Sequence, residues 1–187
     1  MRRSTSVYVL VFILLTGVYL YLNSRPETPD TDTAEPTTEP IEYLFQAEDG
    51  LPTGIRIESK AGEVVEVARN TENAWELILP ETAAADQGSV EAAAIQVTTI
   101  RILDRIPGLA PEAVGLETPE YTMSFKFTGG TQRNIEIGVL TPTQSGYYTR
   151  GEGLEVLIVS KSAVDALLQL LANPPYAVTE TPPPATP

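Results

Sequence analysis

Tyr121-Thr122-Met123-Ser124-Phe125-Lys126-Phe127-Thr128-Gly129-Gly130-Thr131-Gln132-Arg133-Asn134-Ile135-Glu136-Ile137-Gly138-Val139 decides the fold of this chain. Successive side chains of an extended backbone point to opposite faces, so Tyr121, Met123, Phe125 and Phe127 share one face while Thr122, Ser124 and Lys126 share the other. Gly129-Gly130 supplies the positive-φ residues of a tight turn. Beyond it Ile135, Ile137 and Val139 resume the alternation against Asn134 and Glu136. The stretch spells an antiparallel hairpin with one wet face.

Working outward, residues 146–150 and 154–159 read as two further strands, the second apolar on both faces apart from Glu155, as a central strand is. Ser160 or Ser162 then caps a helix whose Val164, Leu167, Leu168 and Leu171 form one stripe, with Asp165 completing a Ser-x-x-Asp capping pattern. Asn173-Pro174-Pro175 stops it. Toward the N-terminus, Ile55 and Ile57 alternate with Arg56 and Glu58. Residues 60–63 turn the chain, Val65 and Val67 share a face, and Trp75, Leu77 and Leu79 alternate until Pro80. From Asp86 the apolar spacing becomes helical through Val90, Ala93, Val97 and Ile100. Asp86 and Ser89 are candidate N-caps, and Glu91 is placed in the first turn, where the helix dipole favours a carboxylate. The helix is expected to end near residues 98–101, and residues 107–119, rich in Gly and Pro, carry the chain to the hairpin.

Strands followed by a helix thus occur twice. The expected class is α+β: mostly antiparallel sheet covered on one side by two principal helices, with an internal duplication visible in the order of elements but not in residue identity.

Composition narrows the chemistry. The 187 residues hold 12 Lys+Arg against 25 Asp+Glu, a formal charge of −13, and neither Cys nor His. Disulfides, thiolate nucleophiles, Ser-His-Asp triads and Cys/His zinc sites are therefore excluded. The domain expected over residues 41–178 carries 9 Lys+Arg and 19 Asp+Glu, so nucleic acid, which requires a basic stripe, is not an expected partner. Its acidic exterior also argues against lying flat on anionic lipid.

The N-terminus points to a membrane. Arg2 and Arg3 precede 21 uncharged residues, Ser4 to Ser24, with the apolar run Val7 to Leu22 at their centre. At ~1.5 Å per residue such a helix spans roughly 30 Å, one hydrocarbon core. A cleaved signal peptide and a retained anchor share this layout, but a cleavage site wants small residues, whereas cuts after Ser24 or Gly17 would place Leu22 or Leu15 at the third position back. The exit favours the anchor, with Tyr19 and Tyr21 suited to the interfacial belt. Basic residues stay inside, so the N-terminus is expected in the cytoplasm and the main domain outside it. Residues 1–24 form the anchor. Residues 25–40 form an acidic Pro/Thr linker too polar to repay the entropy of ordering. With residues 23 and 24 it reaches from ~23 Å as coil to ~55 Å as polyproline II. Asp30 and Asp32 there lack the glycine and distant glutamate of a calcium loop. Residues 179–187 form a Pro-rich tail whose Pro184–Pro187 formally matches P-x-x-P.

No catalytic set emerges, and no cofactor or metal is expected. Gly151-Glu152-Gly153 joins two strands, lacks the third glycine and the Lys-Ser/Thr of a phosphate loop, and reads as a turn. Ser160-Lys161-Ser162 and Ser59-Lys60 hold the residue types of a Ser-Lys dyad, but neighbouring side chains diverge and each has a structural use. Paired carboxylates for glycoside hydrolysis would need two acids facing one cleft. Tyr147, Tyr148 and Arg150 are the candidate interaction residues. On a strand the tyrosines point to opposite faces, one into the core and one exposed beside Arg150, and Tyr with Arg is favoured in interaction hot spots.

From about Glu42 to Tyr176 the chain resembles the bacterial domain-of-unknown-function family DUF 4340. The resemblance is carried by Ala74-Trp75-Glu76-Leu77 with Leu79-Pro80 and Ala85-Asp86, by Val114-Gly115-Leu116-Glu117-Thr118-Pro119, by Ile135-Glu136-Ile137-Gly138 with Thr141-Pro142, and by Gly146-Tyr147-Tyr148-Thr149-Arg150. The strand at 156–160, the helix at 164–171 and Asn173-Pro174-Pro175-Tyr176 add to it. The resemblance implies an N-terminal anchor, an extracytoplasmic domain, no established catalytic residue, and in some members a link to accessory parts of ABC-type transport systems. The expected role is a non-enzymatic interaction domain that docks another envelope or transporter protein. A carboxylate-based binder or hydrolase of envelope glycans is the alternative.

Overall fold

Among the described residues of 40–177, alternation of apolar side chains resolves into ten strands, and the helical spacings resolve into two helices of equal length. The computed structural model describes residues 40–151, 153 and 155–177, together with residues 14–16 and Tyr19. Residues 1–39 and 40–187 are separate units. In the first, the described residues are helical. The remainder of Val7 to Leu22, the linker through Glu39 and the tail from residue 178 lie outside the described residues, as do Glu152 and Leu154.

In chain order the second unit contains β1 (Glu42–Tyr43), a 3-10 turn (Ala47–Asp49), β2 (Pro52–Ser59), β3 (Val64–Arg69), β4 (Trp75–Leu79), β5 (Ala83–Ala84) and α1 (Gln87–Thr98). There follow β6 (Arg101–Ile106), a 3-10 turn (Pro111–Val114), β7 (Tyr121–Phe127), β8 (Gln132–Leu140), β9 (Gly146–Arg150), β10 (Val156–Ser160) and α2 (Lys161–Ala172). All ten strands belong to one sheet in the order β1-β6-β10-β9-β8-β7-β2-β3-β4-β5. Every pairing is antiparallel.

The β2–β7 pair holds the centre, with Ile55 opposite Phe125 and Ile57 opposite Met123. From it β2-β3-β4-β5 run one way and β7-β8-β9-β10 the other, each run followed by a helix of 12 residues. The sheet face carrying Ile55, Ile57, Val65, Val67, Trp75 and Leu77 meets Val90, Val97, Val164 and Leu167 of the helices in one apolar cluster. Each such large side chain contributes ~1.5–3 kcal/mol by leaving water. The opposite face is polar around Arg56, Glu58, Glu66 and Lys126, which form ion pairs along it. At one end Val114 and Leu116 fold over Val156 and Tyr148, so β10 is covered on both faces.

Asp86 is the N-cap of α1, its Oδ1 accepting from Ser89 N–H at 2.6 Å. After α2 the chain returns to this point: Asp86 N–H donates to Pro175 C=O at 2.8 Å and Ala177 N–H to Ala84 C=O at 2.9 Å. The end of α2 therefore lies beside the start of α1.

Several expectations need correction. β6 was not foreseen, because Ile102, Leu103 and Ile106 of the run RILDRI follow no strict alternation. Val139 does not face inward; a register shift between Ile137 and Leu140 turns it out, 43% exposed. At this shift a Cβ on Gly138 would strike the Val114 carbonyl oxygen, so glycine is what lets residues 107–119 close down on β8. On α2 the buried stripe is Ala163, Val164, Leu167 and Leu170, with Leu168 and Leu171 only partly buried at its margin. Ser160 occupies the N-cap position without a side-chain cap, and Asp165 caps nothing. Glu91 lies beyond the first turn of α1.

Candidate functional site

The sheet face under the helices is not covered by them alone; residues 40–50 cover the rest. Glu42 pairs with Ile102 and Tyr43 with Arg101, and Leu44 N–H then donates to Ile100 C=O at 2.8 Å. Phe45 turns inward, 8% exposed, against Phe125 and Phe127 with ring centroids at 5.2 Å and 5.3 Å. Its edge-on approach to Phe125 is the favoured geometry for aromatic quadrupoles. The following 3-10 turn is closed by Gln46 N–H donating to Asp49 Oδ2 at 3.1 Å.

Two arginines from distant strands hold this segment. Arg105 of β6 grips the Glu42 carboxylate through Nε and Nη2, and its Nη1 donates to Glu155 Oε2 at 3.2 Å. Arg133 of β8 donates to Asp49 Oδ1 from Nε at 3.1 Å and from Nη2 at 2.9 Å. Between the arginines lies a cleft of about 330 Å³, floored by Ile102, Ile135 and Leu157 and bordered by Tyr43, Gln46 and Asn134. That volume is at the small end of ligand sites and suits one or two side chains.

Charge pairing sets what the cleft can do. The Arg105 hydrogen bond holds the Glu42 carboxyl below its ordinary pKa. For Asp49 partial burial pushes upward, but the Arg133 hydrogen bonds, the Gln46 N–H and the Arg133 charge together outweigh it and the carboxyl ends below its ordinary value. Arg105 in turn is raised, by Glu42 first. A general acid at neutral pH needs a carboxyl shifted upward, and these are shifted down. The cleft combines an apolar floor with a rim of paired charges. Among the described residues no group of three or more acidic side chains is placed to hold a metal ion.

The sequence-derived candidates lie elsewhere. Tyr147 and Tyr148 do point to opposite faces of β9, but neither is the exposed tyrosine expected beside Arg150: both are half-buried. Tyr147 packs on the main cluster and donates its O–H to Asp165 Oδ1 at 2.9 Å, with Lys161 on the other carboxylate oxygen. Burial first, then the Asp165 carboxylate, pushes this phenol up to about 12. Tyr148 packs against Val114, Leu116 and Val156. Arg150 donates to Glu136 Oε2 at 2.8 Å and to Leu116 C=O at 3.2 Å. The Ser-Lys pairs are not dyads either, since Lys161 is held by Asp165, Lys60 by Glu120 at 3.5 Å, and Ser59 Oγ accepts from Glu63 N–H. Sequence reasoning missed Glu42, Phe45, Asp49, Arg105 and Arg133. The one local signal was the cluster Ile41, Tyr43, Leu44 and Phe45, apolar and aromatic residues that follow the polar linker.

The sheet, its helix pair and the cleft beside residues 40–50 define an α+β domain on a ten-stranded antiparallel sheet. The chain matches no family model, no curated protein and no solved structure. Among the described residues no helix is long and apolar enough to cross a membrane.

Proposed function

We propose that this chain is a single-pass membrane protein, anchored by Val7 to Leu22 with its N-terminus in the cytoplasm, whose residues 41–178 form an extracytoplasmic domain that binds another envelope protein. The DUF 4340 resemblance makes a subunit of an ABC-type transport system the favoured partner, and the repeated strand-then-helix order is read as an internal duplication. The observation that carries the binding role is the cleft: an apolar floor ringed by ion pairs, with the Glu42 and Asp49 carboxyls held ionised. The exposed apolar side chains of Leu14, Leu15 and Tyr19 on helical backbone support the anchor, as lipid-facing residues would be.

The test is site-specific photo-crosslinking in intact membranes. A crosslinker at Asn134, on the cleft border and outside residues 40–50, is expected to capture one specific protein, while one at Ile95, exposed on α1, captures none of it. No specific capture from Asn134 overturns the role. Topology is checked separately: a C-terminal fusion to an enzyme active only outside the cytoplasm is expected to be active, and activity from a cytoplasm-only reporter refutes the orientation.

One observation favours a second reading, a binder of envelope glycans. Glu42, Asp49 and Glu155 all line a single cleft, each paired with an arginine, and carboxylates along a cleft can accept from sugar hydroxyls. Calorimetric titration with glycan fragments, with heat abolished by Glu155→Gln, would favour it over the protein partner.

A further inference from the structure

We propose that residues 40–50 are a releasable strap that occupies, within its own chain, a peptide-binding groove on the sheet. The ligand of that groove is then an extended peptide carrying an acidic residue, an aromatic residue three positions later and a second acid four beyond it. This inference deepens the binding role proposed above and rests on that reading only for the identity of the protein that supplies the peptide.

The strap is held differently from the rest of the fold. Its regular pairing is the two residues of β1, extended by the single Leu44–Ile100 bond. Its ion pair Glu42–Arg105 is 47% and 43% exposed, so salt and water weaken it. Phe45 is its one buried side chain. At its far end Leu51 and Thr128 exchange hydrogen bonds, Leu51 N–H to Oγ1 at 3.1 Å and Thr128 N–H to Leu51 C=O at 2.9 Å, fixing a pivot. Gly50 sits at that pivot with φ +89°, where a side chain would be strained and would strike Thr128. The helices pack on β2, β3, β9 and β10, leaving the Phe125–Phe127 end of the groove to the strap.

Local segments with little main-chain pairing open at lower free energy than the whole fold. When this one opens, the site vacated by Phe45 joins the cleft floored by Ile135, and Arg105 and Arg133 lose their strap partners Glu42 and Asp49. An incoming strand replaces the strap term by term: an acid on Arg105, an aromatic ring against Phe125 and Phe127, an acid on Arg133, and main-chain bonds to the β6 edge in the manner of strand addition. The strap's own Glu42-x-x-Phe45-x-x-x-Asp49 spells that pattern.

Complementation in trans tests it. The probe is a fluorescent peptide of residues 40–50, added to the purified full-length chain carrying Phe45→Ala in detergent. Saturable binding is expected, weakened by about tenfold or more when the peptide also carries Phe45→Ala or the chain also carries Arg105→Ala, a loss matching a removed buried anchor. No binding, by a chain whose circular dichroism remains that of the folded protein, overturns the proposal. Opening is read independently in the otherwise unaltered chain, which has no cysteine of its own. A thiol at Phe127→Cys, a position that Phe45 covers, is expected to react at least roughly tenfold faster than one at Leu77→Cys, with weak dependence on urea. Equal rates that both follow global unfolding overturn it even if Phe45→Ala fails to fold. Both measurements use purified components, so they succeed or fail apart from the search for a membrane partner.

Discussion

Glu91 sits midway along α1 on a surface that water reaches, yet it satisfies the buried indole of Trp75. Its Oε2 accepts from Trp75 Nε1 at 2.8 Å and from Arg69 Nη2 at 2.6 Å, and the Arg69 guanidinium lies 4.3 Å over the Trp75 ring. Gln87 closes the other side, donating to Trp75 C=O and accepting from Trp75 N–H, both at 2.8 Å. Removing the carboxylate leaves a buried indole N–H without an acceptor, so Glu91→Ala is expected to cost about 1–3 kcal/mol in urea unfolding. Glu91→Gln retains an oxygen for the indole and is expected to cost less; equal losses would show that the charge on Arg69 matters more than the indole bond. Sequence placed Glu91 correctly on the helix but assigned it to the dipole, because nothing local announces that Trp75, 16 residues earlier, lies beneath it.

At the scale of elements, the two helices occupy matching places but start differently. Asp86 caps α1 with a side-chain bond and Ser160 gives α2 none. Asp86→Ala is therefore expected to lower the denaturation midpoint while Ser160→Ala leaves it unchanged, and the reverse order would contradict the assignment. The long elements were legible because each buries one face over several periods: β7 and β8 by alternation, α1 and α2 by three- and four-residue spacing. β1 and β5, at two residues, are too short to show a period, and β6 loses its own beside a register shift at Ile158–Val159. The cleft was illegible for a related reason. Its two holding pairs join residues 63 and 84 positions apart, and only the folded sheet brings them together.

For the whole molecule, charge pairing predicts a pH profile with two limbs. Glu42, Asp49, Asp86 and Glu91 all have carboxyls held below their ordinary values in the fold: Glu42 by Arg105, Asp49 by Arg133 and the Gln46 N–H against partial burial, Asp86 by the Ser89 N–H, and Glu91 by the Trp75 indole. Their contribution is fully present above the unfolded-chain values of ~3.9 for Asp and ~4.3 for Glu and is lost as pH falls through the lower folded values. Tyr147 acts oppositely. Its folded value is pushed up to about 12, so its contribution is complete below the unfolded phenol's ~10 and disappears as pH rises toward 12. The urea midpoint is expected to be level between about pH 5 and 9 and to fall on both sides. A midpoint unchanged down to pH 2.5 would contradict the acid limb.

The outermost strands, β1 and β5, are two residues each, and the Ala85–Tyr176 bridge lies against the end of β5. On β6 the Asp104 side chain accepts from the neighbouring Arg105 N–H at 2.8 Å, occupying a main-chain donor that a neighbouring copy could otherwise use. Many identical molecules crowded in one layer would consequently find little at either margin to extend ribbon onto ribbon. While residues 40–50 stay in place, the sheet therefore offers its own copies little main chain to add to.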